Sequence, residues 1–502
     1  LVGSSLLFGG AVWWARPVIG VLTFLFVVAW LMRVLLEGSW QVLKSPLAVV
    51  GLLGLMLAVV QLVPLPDALA GWLSPGSRSL HSLGVMPEKM LDPSADLPDP
   101  VTSRVPMSVD RSATVRWLGG ATACLALFWS VGQYTDRLGR LYLVWGSVVA
   151  AFFLNTTIGV VQLVGDSKGL YGGLEPGAGG SLAPSLDDLL TTPNTTVLRP
   201  VSVSAAQAPG SGSWWAIARP EHPFLLGTLM GGPGAYLALG ALGLPLGLGL
   251  VLQLLAPRGS REEVWMRLRH SGQLGLVGLL CGLVGASALL VGLLAGPLLS
   301  LPFAFGLLLV GLPAAWPSGL RWTAVALTAA ALLMLGAGII LGGLWADSMS
   351  ADPGPLIVRL SRGTALRVWS DSAHILRDFP AFGSGMGSFS SIYPLYKSHD
   401  QAHTVALSSV VQWSIEAGAA GLLLLLLAGL WCFWRLPDAM RRVGSADGPL
   451  AFGLIGTAVC FALFSALHWS VELAAVAVAA SVVGGTCDRW LAGGTDLFVD
   501  RV

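Results

Sequence analysis

Residues 359–421 read RLSRGTALRVWSDSAHILRDFPAFGSGMGSFSSIYPLYKSHDQAHTVALSSVVQWSIEAGAAG. Arg359, Arg362 and Arg367, the histidines His374, His399 and His403, and a turn with glycines at 383, 385 and 387 fall together here, between two hydrophobic runs. Around them the chain is overwhelmingly apolar. Of its 502 residues 54% are hydrophobic and 11% charged, with a mean hydropathy of +0.75. A soluble domain carries about 25% charged residues, and a run of about 20 apolar residues spans a bilayer core. The composition therefore implies an all-α, polytopic integral membrane protein. The quoted stretch reads as the place where charged chemistry meets the membrane surface.

Working outward, the apolar runs predict twelve spans, at 3–15, 17–36, 46–65, 113–132, 141–164, 224–254, 272–296, 299–315, 323–345, 408–434, 450–467 and 469–487. The sixth is long enough to tilt or break near Pro233 or Pro245. They form a single transmembrane domain over 1–502, interrupted by polar segments at 66–112, 165–223 and 346–407. With twelve spans, all three long segments lie on one side. The short loops opposite hold Lys44, Arg137, Arg140, Arg258, Arg261, Arg267, Arg269, Arg321, Arg435, Arg441 and Arg442. That bias puts the short loops and both termini in the cytoplasm and the long loops outside.

The net charge of +1 leaves no basic tract for nucleic acid. The five cysteines, Cys124, Cys281, Cys432, Cys460 and Cys487, sit in or at the end of apolar runs without CxxC spacing, as small packing residues do. Gly275, Gly278, Gly282 and Gly285 share one helical stripe, which predicts a close helix–helix approach. Trp13, Trp14, Trp30, Trp40, Trp117, Trp316 and Trp322 sit near span ends, where interfacial anchors belong. Ionisable residues within the spans are few; the clear ones are Glu416, Glu472 and, near an outer end, His468. An ion-coupled transporter usually carries charged relays at mid-membrane. Their scarcity favours chemistry at the outer surface.

From Gly363 to Phe379 the third outer loop has helical periodicity. Leu366, Trp369, Ala373 and Leu376 fall on one face, and Arg367, Asp371, His374 and Asp378 on another. This predicts an amphipathic surface helix that rests with its apolar face on the bundle or on lipid, turns its polar face to the loop cavity and ends at Pro380. The glycine turn that follows permits positive φ. It reads either as a plain tight turn or as a nest of amides for an anion. The arginines beside it are either solvated surface charges or a bidentate grip on phosphate. His403 can carry a proton near neutral pH, although a loop histidine is usually plain surface. His399 and His403 have no third ligand at metal-site spacing. Glu416 reads equally as a buried acid bonded to a neighbouring helix or as part of a site.

These residues resemble the signature region of the O-antigen ligase and polymerase family of bacterial membrane glycosyltransferases. The likeness rests on Arg367-Val-Trp369, on Asp378-Phe-Pro380 running through Gly383, Gly385 and Gly387 to Phe389, on His403, and on Glu416-Ala-Gly418. It extends to Leu7-Phe8-Gly9-Gly10, to 159–172, and to His468-Trp-Ser-Val-Glu472. Thr404 stands where the family often has asparagine. Arg219-Pro-Glu-His222-Pro replaces an Asn-rich motif before the sixth span, which leaves the acceptor open.

The resemblance implies a GT-C-like membrane enzyme of the bacterial inner membrane, independent of metal and cofactor. It would move a glycan from undecaprenyl diphosphate to a hydroxyl on a lipid-linked glycan, a lipid A core or a protein. In that scheme His403 is the general base. Arg367, then Arg362 and Arg219, with the glycines Gly383, Gly385 and Gly387, hold the diphosphate. Trp369, Glu416, His468 and Glu472 support them. A polymerase of lipid-linked repeats shares the same signature. A glycolipid transporter and an inactive scaffold of an envelope-polysaccharide machine are the readings of another class.

Overall fold

A computed structural model describes residues 15–37, 45–80, 105–135, 138–164, 232–255, 273–314, 321–348, 362–398, 405–441, 448–468 and 474–492. In lipid no water satisfies backbone polar groups, so apolar runs of this length fold as helices. They are α1 (Ala15–Glu37), α2 (Pro46–Leu62), α3 (Asp67–Leu73), α4 (Arg111–Tyr134), α5 (Leu138–Val164), α6 (Gly232–Leu255), α7 (Gln273–Ala314) and α8 (Arg321–Ser348). After these come α9 (Arg362–Asp378), α10 (Phe389–Tyr396), α11 (Ser409–Arg441), α12 (Gly448–Leu467) and α13 (Ala474–Ala492). Two residues of β1 (Pro64–Leu65) pair antiparallel with β2 (Val105–Pro106).

Seven of the described helices, α1, α5, α6, α7, α8, α11 and α12, are long and apolar enough to cross a membrane, and the 17-residue α2 is a shorter apolar helix. The chain is thus an all-α, multi-pass membrane protein. The apolar stretch of α7 covers 37 residues, about 55 Å of helix against a bilayer core of about 30 Å. It is two helices, broken at Gly296 (φ 62°, ψ −179°), where the sequence divides spans seven and eight. The expected first span, at 3–15, lies outside the described residues.

Burial identifies the axis of the bundle. Of its apolar stretch, 94% of α6 is enclosed by protein but only 6% of α1. Of the tilt or break expected in the sixth span, no break is present at Pro245, which stays within α6 beside Gly306 and Gly456. The glycine stripe of α7 differs from expectation as well. Gly275, Gly278 and Gly282 face open space. The close approaches lie elsewhere: a Cβ on Gly249 would stand 2.7 Å from Gly453 Cα, and one on Gly132 would stand 3.0 Å from Gly485 O. A repeat of small residues marks a face that permits approach; which glycines meet a partner depends on helix crossing.

Candidate functional site

The helix α11 is broken at Gly418 (φ 62°, ψ −158°). A break exposes carbonyls on one side and amides on the other, each costly to leave unpaired away from water. The segment from Pro380 to Gly385 satisfies both sets. Ser384 N donates to Ile415 O (2.9 Å) and Gly385 N to Glu416 O (3.2 Å). Ala419 N and Ala420 N donate to Pro380 O (2.9 Å) and Ala381 O (3.0 Å). The two backbones lie so close that a Cβ on Gly418 would stand 2.5 Å from Gly383 N.

All three turn glycines have positive φ, at 73°, 109° and 76°, as the sequence predicts. Their amides are not an open anion nest. Met386 N donates to Gln61 Oε1 (3.0 Å), Gly387 N to Glu416 Oε2 (2.9 Å), Ser388 N to Gly385 O (3.1 Å) and Phe389 N to Glu416 Oε1 (3.2 Å). With Ser384 and Gly385, six consecutive amides are bound inside the protein. Gly383, Gly385 and Gly387 therefore shape a buried turn and do not present these amides to a diphosphate.

Glu416 is buried and is the hub of this turn. Besides the two amides it accepts a bond from Gln412 Nε2 (3.2 Å), and its carboxyl takes the place of a side-chain cap at the N-terminus of α10. Of the two readings of Glu416, the buried, bonded acid describes its surroundings. Gln61, at the end of α2, is fully buried. Its Nε2 donates to Phe382 O (2.5 Å) and Glu416 O (2.8 Å). Sequence reasoning passed over Gln61 and Gln412; the available signal was an amide side chain in an otherwise apolar run.

Residues at the start of α4 close the turn from the other side. Val109 N donates to Ser384 O (2.9 Å), and Thr114 Oγ1 to Met386 O (2.9 Å). Asp110 caps α4 by accepting from Ala113 N (2.9 Å) and also receives Ser391 Oγ (2.8 Å). Burial alone would raise the Asp110 pKa. The Ala113 amide, the Ser112 and Ser391 hydroxyls and the Arg116 charge outweigh it and hold the carboxyl below its usual value. Trp117, expected at the interface, is buried instead. A Cβ on Gly387 would stand 3.4 Å from Trp117 Cβ, and the Trp117 ring lies 6.1 Å from that of Trp413.

One residue of the expected polar face of α9, Asp371, turns inward. Val368, Asp371, Ser372, Ile375 and Phe379 are inside, whereas Leu366 and Ala373 are exposed. The reason is a polar contact that periodicity cannot see. Asp371 Oδ2 accepts from Tyr393 OH (3.1 Å) and Ser398 N (3.1 Å), so the acid turns inward with the apolar residues one helical turn away. Burial and the Asp371 charge raise the pKa of Tyr393, which keeps the phenol proton in that bond. Arg367 is exposed and makes no hydrogen bond or ion pair with a described residue. Arg362 opens α9. Trp369 Nε1 donates to Ala406 O (3.2 Å).

His468 is buried just past the C-terminal end of α12. Its ring lies 5.3 Å from that of Phe464 and fits against Gly234 at the start of α6. Ser408 Oγ donates to Ala466 O (2.7 Å), which ties this end of the bundle to the start of α11. His403, Arg219 and Glu472 lie outside the described residues. Among the described residues no cluster of three His, Cys, Asp or Glu side chains suits a metal ion.

Below the turn, a groove of about 460 Å³ opens between α2, α4, α11 and α13. Gly54, Leu55, Trp117, Leu125, Phe128, Trp413 and Leu424 are among its lining residues, and the wall is almost wholly apolar. Along α4 it runs from Trp117 to Phe128, about 16 Å of helix. No residue of α9 is among those that line it. A comparison of the chain with protein-family models, curated proteins and solved structures finds no match.

Proposed function

We propose that this protein transfers a glycan from undecaprenyl diphosphate to a hydroxyl acceptor at the outer face of a bacterial inner membrane. One juxtaposition carries the reading. The outer end of α11 has an apolar groove on one side and, on the other, a surface helix with a free arginine. A substrate with a lipid tail and an anionic head needs both. The reading brings with it twelve spans, a GT-C-like arrangement and cytoplasmic termini.

In the reaction, the bond from the sugar anomeric carbon to the diphosphate oxygen breaks and the diphosphate leaves with the electron pair. The acceptor oxygen bonds to that carbon, and its proton passes to a base. Arg367, joined by Arg362 and Arg219, would stabilise charge as it develops on the leaving group. His403 would take the proton. The linkage itself supplies the driving force. Trp369, Glu416 and His468 build the frame rather than touch the donor.

The test is a mass-spectrometric profile of lipid-linked glycans and surface glycoconjugates in a strain lacking the gene, with and without the wild-type protein. Accumulation of undecaprenyl-linked glycan in the null, cleared by the wild type, supports transfer, and the missing product identifies the acceptor. A ladder on the lipid carrier would make the enzyme a polymerase. Identical profiles would sink the proposal.

Two substitutions probe its halves. Arg367→Lys should lower kcat/KM at least about tenfold, since a point charge does not reproduce the planar fork; a wild-type rate would make Arg367 a surface charge only. Cys124→Trp should fill the groove and raise KM for a long-chain donor about tenfold, equivalent to about 1.4 kcal/mol of lost tail burial. A short-chain donor should be little affected. Equal effects on both donors would place the tail elsewhere.

A further inference from the structure

The groove below the turn is closed at both ends. Near the turn it stops at Trp117 and Trp413, whose rings lie 6.1 Å apart. At the far end the backbones of α4 and α13 meet. A Cβ on Gly132 would stand 3.0 Å from Gly485 O, and one on Gly484 would stand 3.1 Å from Phe128 Cε2. Phe128 and Gly484 line the groove, whereas Gly132 and Gly485 do not. The slot therefore ends at the Phe128 ring. Beyond that ring, α13 is tied to the other three helices of the groove. Arg489 Nη1 donates to Gly132 O (3.2 Å), and Arg435 of α11 donates to Leu491 O and Ala492 O (3.3 Å each). Asp488 is buried beside Ser45 and Leu47 at the start of α2. These ties fix the depth of the slot.

That depth is about 16 Å along α4, close to half of a bilayer core of about 30 Å. It suits a hydrocarbon chain from one leaflet. The wall is not smooth. Gly54 is buried and lines the groove, yet a Cβ there would meet nothing within 4 Å. The missing side chain leaves a pit in which a methyl group fits. A straight acyl chain would leave that pit empty, and a methyl-branched chain would fill it.

We infer that the groove is a slot of fixed length for an isoprenoid chain, with Phe128 as its floor and Gly54 as the seat of a methyl branch. The donor comes from the transferase reading, on which this assignment rests; the shape of the slot does not. Each isoprene unit adds four bonds of about 1.5 Å, or about 5 Å of extended chain, so about three units fill the slot. The rest of an undecaprenyl tail leaves sideways into lipid. Within a bilayer, a chain that moves from lipid to protein gains packing rather than hydrophobic energy. The gain is therefore small for each unit, about threefold in affinity, and it stops at the floor.

Competition binding to the full-length protein in lipid nanodiscs tests this. The competitors are prenyl phosphates lengthened one isoprene unit at a time and straight-chain alkyl phosphates of matched length, dosed per mole of lipid against a photoactivatable prenyl phosphate. On the wild type, affinity should rise about threefold per unit and level off after about three units. Phe128→Ala should move the plateau one unit later. Ala428→Phe, at the lining residue of α11 farthest from Trp413, should move it one unit earlier. Loss of fold does not produce shifts of opposite sign, and thermal melting checks each variant. Gly54→Ala should weaken prenyl phosphates about threefold and leave alkyl phosphates unchanged.

The same plateau in all four proteins overturns the floor. Affinity that is independent of length on the wild type, or equal for prenyl and alkyl phosphates, gives the groove to an ordinary phospholipid chain and overturns the assignment. Single-turnover transfer from donors of the same lengths separates this outcome from the transferase reading. A binding plateau without transfer sinks that reading and keeps the slot; transfer without a plateau keeps the reading and sinks the slot.

Discussion

A Glu416→Ala protein is expected to lose the end of its bundle around the Gly383–Phe389 turn before the rest. Removal of the carboxyl leaves the Gly387 and Phe389 amides and the Gln412 side chain without their acceptor, in a place that water does not reach. Each buried donor left unpaired costs about 1–3 kcal/mol, so the three together should cost more than about 3 kcal/mol. The effect should spread, because the same turn closes the break at Gly418 and receives Gln61 and Thr114. Thermal unfolding of detergent-solubilised protein, followed by size-exclusion chromatography, measures it. Glu416→Gln, which retains one acceptor oxygen, should fall between wild type and alanine. A Glu416→Ala protein that melts with the wild type would show that the turn is held by its backbone bonds alone.

The second large effect is chemical. His403→Ala should leave insertion and melting unchanged and abolish transfer. A general base is worth about 10²–10⁴-fold, so the single-turnover rate should drop at least about a hundredfold. In cells, undecaprenyl-linked glycan should accumulate as it does in the null strain. The contrast with Glu416→Ala matters: one substitution removes stability and activity together, the other activity alone. Normal product in His403→Ala would move the base elsewhere, and a transporter or scaffold role would come forward.

The glycine turn illustrates how much of the site was legible in advance. Three alternating glycines announced positive φ, and all three have it. The use of the turn was not legible. The same pattern serves an open nest or a closed plug, and the difference lies in whether acceptors reach its amides. Two of those acceptors belong to Glu416, 29 and 27 residues away from the amides they bind; a third belongs to Gln61, 325 residues from Met386. No spacing rule links such positions. The surface helix makes the same point on a smaller scale. Periodicity gave its extent and end at Pro380, yet Asp371, bonded to Tyr393 and Ser398, rolled the helix away from the face its hydrophobic residues suggested.

Membrane class, helix positions and the sign of φ at the turn depend on local rules: the length of an apolar run, the absence of a Cβ, the missing amide of a proline. These act within a few residues, so they can be read along the chain. The partner of each buried amide, the face of α9 that turns inward, the glycines that meet another helix and the groove below Trp117 and Trp413 depend on which helices cross and where. Those crossings are set by packing among segments far apart in sequence. They become definite only when every buried polar group has found its partner in three dimensions.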